Sequence, residues 1–191
     1  MKLRRRYAMA VKRQSLALAL LCTALAAPGA WAENCRVSLS RSSIDYGAIR
    51  REALAESHQR LLATRSLHLD VVCTEPASMG LRFIGVAADG QGFRFGRQGR
   101  YRLTLRQARL DGHAVGWMAA HLPGEPAGGQ LMPGQTLMAR VAGMPMIGRR
   151  LTAQVDIHAD LPADALDVRS ETRLEGEGSF ELISSVAPLS R

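Results

Sequence analysis

Three thiols are the first groups in this 191-residue chain that could do chemistry: Cys22, Cys35 and Cys73. If the chain is cut after Ala32, Cys35 and Cys73 are the pair that remains. In an oxidising compartment such a pair reads as one disulfide, the alternative being two free buried thiols. Closing a loop of that length stabilises by roughly 4 kcal/mol in the chain-entropy treatment. The five histidines, His58, His68, His113, His121 and His158, have no metal-type spacing, and no cofactor is expected. Gly90 to Gly96 is glycine-rich, but its spacing is not a dinucleotide fingerprint and no strand–turn–helix unit surrounds it. Ser179, within Gly178-Ser179-Phe180, is not a nucleophile elbow. Asp156, Asp160, Asp164 and Asp167 fall on or just after the wet face of a strand, where nothing argues for a raised pKa. No catalytic residue is assigned, and the chain is expected not to be an enzyme.

Arginines are dense between Arg94 and Arg109, with Arg97, Arg100, Arg102 and Arg106 between them. One reading is a basic face for an acidic glycan, lipopolysaccharide or an acidic partner. The other, which is favoured, is the polar face of a strand in a chain that has no lysine after residue 32.

Residues 1–32 have the layout of a secretory signal. Lys2, Arg4, Arg5, Arg6, Lys12 and Arg13 precede an apolar stretch from Ser15 to Ala27, and Ala30-Trp31-Ala32 offers a cleavage site. That apolar stretch is short for a membrane span, and no later one approaches the length required. Leu21 before Cys22 does not fit a lipoprotein signal. Six cations and no acidic residue lie in this segment, so the formal charge of +8 falls to +2 without it. The basic pI is therefore mostly a property of the leader, and nucleic acid is not an expected partner.

The remaining 159 residues suffice for one domain with a core. Their pattern is β throughout. Leu67, Leu69, Val71 and Cys73 share one face of an alternating run, with His68, Asp70 and Val72 on the other. Arg36 to Ser40, Ile44 to Gly47, Leu81 to Val86 and Gly99 to Arg106 read as further strands, the last with a bulge near Gln107, where the parity breaks. Asp111-Gly112 is a hairpin signal, followed by a return strand through Val115 and Trp117. Thr136 to Val141, Leu151 to Leu161 and Ser179 to Ser184 complete the set; residues 50–64 read as a polar connection and 121–134 as loop. Seven or eight short strands without a convincing amphipathic helix predict an all-β antiparallel sandwich.

The ordered set also resembles a known family. Cys35, Leu39-Ser40, Ile44-Asp45-Tyr46-Gly47, the run ending in Cys73, Gly99-Arg100-Tyr101, Asp111-Gly112, Trp117, a long late strand and a closing Gly178-Ser179-Phe180-Glu181-Leu182-Ile183 occur in this order. Over residues 35–184 this is similar to the fimbrial-type exported β-proteins of chaperone–usher systems, and more distantly to classical and spore-coat-U-like pilins. The resemblance implies an immunoglobulin-like sandwich lacking its last strand, whose groove accepts a strand from a periplasmic chaperone and then from another subunit. Phe180 and Leu182 would form one lip, Ile44 and Tyr46 the other. It implies a chaperone, an usher and other fimbrial subunits as partners, and passage through the periplasm to a fimbrium at the cell surface.

Two departures qualify the expectation. Polymerising pilins carry an alternating apolar extension before the first cysteine, whereas only Glu33 and Asn34 would remain here, too short to span a groove. Such a subunit accepts a strand but donates none, as a tip or terminal component would. Residues 185–191 also continue past the last strand, and Pro188 disfavours this tail as a central strand. The expected organisation is a signal over 1–32, a sandwich domain over 33–184 and a tail over 185–191. The alternative function is a self-contained periplasmic or secreted module that binds glycan or lipopolysaccharide through the arginine-rich face.

Overall fold

The computed structural model describes residues 34–49, 62–120, 126–162, 165 and 173–186. The expected signal, most of the polar connection, His58, His121, Asp164, Asp167 and the tail beyond Val186 lie outside them.

Among the described residues every ladder is antiparallel. The strands are β1 (Cys35–Leu39), β2 (Arg65–Gly85), β3 (Ala87–Asp89), β4 (Gly92–Phe95), β5 (Gly99–Leu110), β6 (His113–Ala114) and β7 (Gly116–Ala119). They continue with β8 (Pro126–Ala127), β9 (Gln130–Leu131), β10 (Thr136–Val141), β11 (Met144–Pro145), β12 (Ile147–Asp160) and β13 (Gly178–Val186). The additional short strands flank turns and are too brief to show alternation in sequence.

The chain is organised around β2, 21 residues long. The sequence reads its two ends as separate strands, and the structure corrects this: Leu67 and Leu81 belong to one continuous element. The first half of β2 pairs with β12, which pairs with β5. Its second half pairs with β10, which leads to β7 and β8. The sheet curls so that both halves feed one core. Leu69, Val71, Leu103, Leu151 and Val155 come from one, and Met79, Leu81, Trp117 and Leu137 from the other.

Pro76 sits where β2 passes between the halves. The β12 register jumps there, from Arg150 opposite Val72 to Gly148 opposite Ala77. A proline has no N–H to lose from a ladder, so this gap is where it is tolerated. The expected bulge near Gln107 is present: the β5–β12 register shifts between Thr152 and Gln154, and Gln107 has φ 50°.

Ile44 to Gly47 is a second correction, because it is not a strand. The Asp45 carboxylate accepts from the Gly47 N–H at 2.7 Å, and Gly47 has φ 69°. This side-chain turn takes the backbone out of the extended conformation, and only glycine adopts that φ without a steric penalty. The disulfide joins Cys35 to Cys73, which lie opposite one another in the β1–β2 register.

Candidate functional site

β1 and β13 lie on the same side of β2, end to end. Cys35 to Leu39 pair with Cys73 to Leu69, and Gly178 to Val186 pair with Gly85 to Ala77. The short gap between them is bridged by Asn34. Its carbonyl accepts from the Thr74 N–H at 2.9 Å, and its side-chain oxygen accepts from the Glu75 N–H at 2.8 Å. Among the described residues neither β1 nor β13 has a strand on its outer side. Among the described residues the result is one long edge of backbone N–H and C=O groups without a strand partner.

Burial along this edge is uneven in an informative way. On β2, the inward residues Phe83, Leu81 and Met79 are buried. Their cross-strand partners on β13 are less so: Phe180 and Leu182 are half-buried, and Ser184 is exposed. β1 repeats the pattern, since Leu69 is 1% exposed while Leu39 opposite it is 38% exposed. Apolar side chains pointing at the core remain partly exposed where no described strand lies beside them. An edge that is both apolar and unpaired is what an added strand would cover.

β13 is nonetheless held firmly in place. Across its outward face Arg82 Nε donates to Glu181 at 2.8 Å, and Ser78 and Ser185 hydroxyls share a hydrogen bond at 2.6 Å. Inward, the Phe180 ring meets Phe83 edge-on at 5.1 Å, and Phe83 meets Phe93 at 4.8 Å. A Cβ at Gly178 would run into the Phe83 ring, so this close approach requires glycine. Tyr101 anchors the approach to β13, its hydroxyl donating to the Glu177 carbonyl at 2.9 Å. Burial, with the Glu177 charge nearby, pushes the Tyr101 phenol up to about 12.

The four predicted groove residues fall into two pairs. Phe180 and Leu182 lie on β13 as described. Tyr46 stands elsewhere on the rim, its ring edge-on to Phe95 at 6.1 Å, its hydroxyl near the Ile157 carbonyl and Arg65 above it. Burial raises the Tyr46 pKa despite the Arg65 charge. Ile44 is half-buried against the same core. The two pairs thus border one core through different neighbours.

Most of the predicted arginine face is engaged within the fold. Arg100 pairs with Asp89 at 2.6 Å and reaches Asp160 at 3.3 Å, Arg102 pairs with Asp160 at 3.1 Å, and Arg106 with Asp156 at 2.9 Å. Arg94 and Arg97 are exposed and make no ion pair among the described residues. Asp156 was expected on a wet face, but it is buried beneath its partners. Burial alone would raise its pKa. Hydrogen bonds from Gln154 and Ser66, both at 2.7 Å, and the charges of Arg106 and His158 outweigh that and lower it. Asn34 and the Arg82–Glu181 pair escaped the sequence reading because their partners become visible only once the register is known.

Among the described residues no three His, Cys, Asp or Glu side chains gather as metal ligands. No helix among them is long and apolar enough to cross a membrane.

Comparison with solved structures finds likenesses in fold. The chain is similar to the crystal structure of the P pilus rod subunit PapA, at 13% identity and a TM-score of 0.47, over 80% of this chain and 100% of that one. No family model matches the sequence, and no curated protein matches it.

Proposed function

We propose that this protein is a non-enzymatic subunit of a fimbrial assembly of the chaperone–usher type, whose sandwich is completed by a strand received from outside. The observation that carries this reading is the under-covered inward row of β13, beside an outer edge with no strand partner among the described residues. A strand laid along that edge would satisfy the free backbone groups and seat alternate side chains over Phe180 and Leu182. Ile44 and Tyr46 form the far rim of the same opening. The donor is first a periplasmic chaperone and then a neighbouring subunit, with an usher directing the exchange. The chain itself donates none. With cleavage after Ala32, Glu33 and Asn34 precede β1, and Asn34 is already tied to Thr74 and Glu75. A subunit of this kind would sit at a tip or terminus. In this reading residues 1–32 are the signal that exports it to the periplasm and then the surface, and the sandwich domain that begins at residue 33 extends through β13 to Val186, two residues past the expected boundary at 184.

The ion pairs along β5 and β12 favour this reading over ligand binding through the arginine face, because Arg100, Arg102 and Arg106 already have carboxylate partners. Co-expression tests the proposal. With the chaperone of its own export system the protein is expected as a one-to-one complex, and without it in low yield and aggregated. Recovery as a stable monomer that forms no such complex would overturn the reading.

A further inference from the structure

The outward face of β2, β12 and β5 is regular except at one point. Between Thr152 and Gln154 the β5–β12 register slips, so that Gln107 and Ala108 together oppose Ala153. A bulge of this kind re-aims the extra side chain. Gln107 holds φ 50°, in the left-handed region where glycine would sit without a steric penalty. A larger residue kept in that conformation points to a use for its side chain.

The slip opens a concavity of about 370 Å³. Buried Ala108 and Ala153 make its floor and Ala114 one side, while His68, Gln107, Arg109 and Thr152 complete the wall. The last four come from three different strands. Among the described residues the His68 ring, the Gln107 amide and the Thr152 hydroxyl have no hydrogen-bond partner. Arg109 spends one N–H on the Gly112 carbonyl at 2.9 Å and makes no ion pair among those residues. An imidazole, a carboxamide, a guanidinium and a hydroxyl thus converge with donors and acceptors to spare.

Charge and position narrow the ligand. By register Thr152 lies between Arg109 and Asp70, and Gln154 between Arg106 and His68. Arg106 is paired with Asp156 and Arg150 with Asp70, each at 2.9 Å. Asp111, two residues from Arg109, accepts from the Arg149 and Arg150 N–H groups at 3.1 and 2.8 Å. Arg106, Arg109 and Arg150 therefore stand against Asp70, Asp111 and Asp156, a balance that favours an uncharged ligand. A peptide is disfavoured because β2, β12 and β5 already pair with one another here and offer no free edge. What fits a polar-walled concavity of this size is a compact, hydroxyl-rich molecule such as a sugar ring.

We propose that the concavity beside Gln107 is a saccharide site that takes one ring of a neutral glycan, whose hydroxyls meet His68, Gln107, Arg109 and Thr152. The arginines from Arg94 to Arg106 take no part in it. The site does not rest on the strand-acceptor reading, because β13 pairs with the other side of β2.

Saturation-transfer difference NMR of the purified protein tests it, with any co-purified chaperone measured alone as the blank. The probes are the methyl glycosides of glucose, galactose, mannose and N-acetylglucosamine, with glycerol and glucuronate as controls. At least one neutral sugar is expected to bind with a Kd of about 1–10 mM, and both controls about fivefold more weakly or not at all. Gln107→Gly suits the backbone at φ 50°, and Thr152→Val keeps the side-chain shape. Each should weaken sugar binding about fivefold or more with circular dichroism unchanged, which separates a lost contact from a lost fold. Failure of every neutral sugar, wild-type binding by both variants, or equal binding of glycerol would each overturn the proposal. Tighter binding of glucuronate would overturn it as well, by assigning the concavity to an anion.

Discussion

Asp156 shows how a single carboxylate ties the sheet's wet face to pH. It is 8% exposed, and its lowered pKa means that the folded state holds it ionised more tightly than the unfolded chain does. The stabilisation is therefore complete above the ordinary carboxylate range and is lost as the pH falls through the depressed folded value. Tm is expected to drop on acidification, and the gap between wild type and Asp156→Asn, wide at pH 7, should close as the carboxylate protonates. A gap that persists unchanged at acid pH would show that the charge is not what Asp156 contributes. Asn34 acts through hydrogen bonds instead. Its side chain takes the Thr74 hydroxyl at 2.7 Å and the Glu75 N–H at 2.8 Å, standing in for the ladder that Pro76 interrupts. Asn34→Ala should cost about 1–2 kcal/mol in urea denaturation, since the Glu75 N–H loses a protein partner.

Among the elements, β2 and β13 make the most informative pair. Leu81 and Leu182 face each other across the ladder with the same side chain in different surroundings. Leu81 is fully buried and Leu182 half-buried. Leu81→Ala is expected to cost about 3 kcal/mol and Leu182→Ala only about 1, because a site already open to water leaves no closed cavity. Equal costs would mean that the row along β13 is covered after all. Strand alternation made β5, β10 and β12 legible in the sequence, and the broken parity at Ala108 located the bulge at Gln107 before any register was known. The length of β2 was not legible, because Pro76 and the end of the apolar run at Cys73 look like a boundary. What carries the strand across that point is Asn34, a residue distant in sequence. Ile44 to Gly47 failed as a strand for a local reason: the Asp45 side chain offers the backbone an alternative bond.

At the scale of the whole molecule, the fold is a curled antiparallel sheet stapled by one disulfide near the start of β1. The bond spans 38 residues, and the double variant Cys35→Ser with Cys73→Ser is expected to lose roughly 4 kcal/mol, read as a lower denaturation midpoint. The all-β class and the cysteine pairing were legible because alternation and an isolated pair of thiols leave few solutions. The open side was legible only in part. Phe180 and Leu182 carry an inward pattern like any buried strand, and their incomplete cover depends on what lies beside β13 in the sheet, which no local pattern encodes. The most direct test of the proposed strand-acceptor edge is hydrogen exchange along β13, with and without a peptide of alternating apolar residues. In the protein alone, alternate amides of Ser179 to Ser185 should exchange nearly unprotected, and the peptide should protect them while leaving β12 unchanged. Protection of every β13 amide in the protein alone, with no further change on adding peptide, would contradict the account.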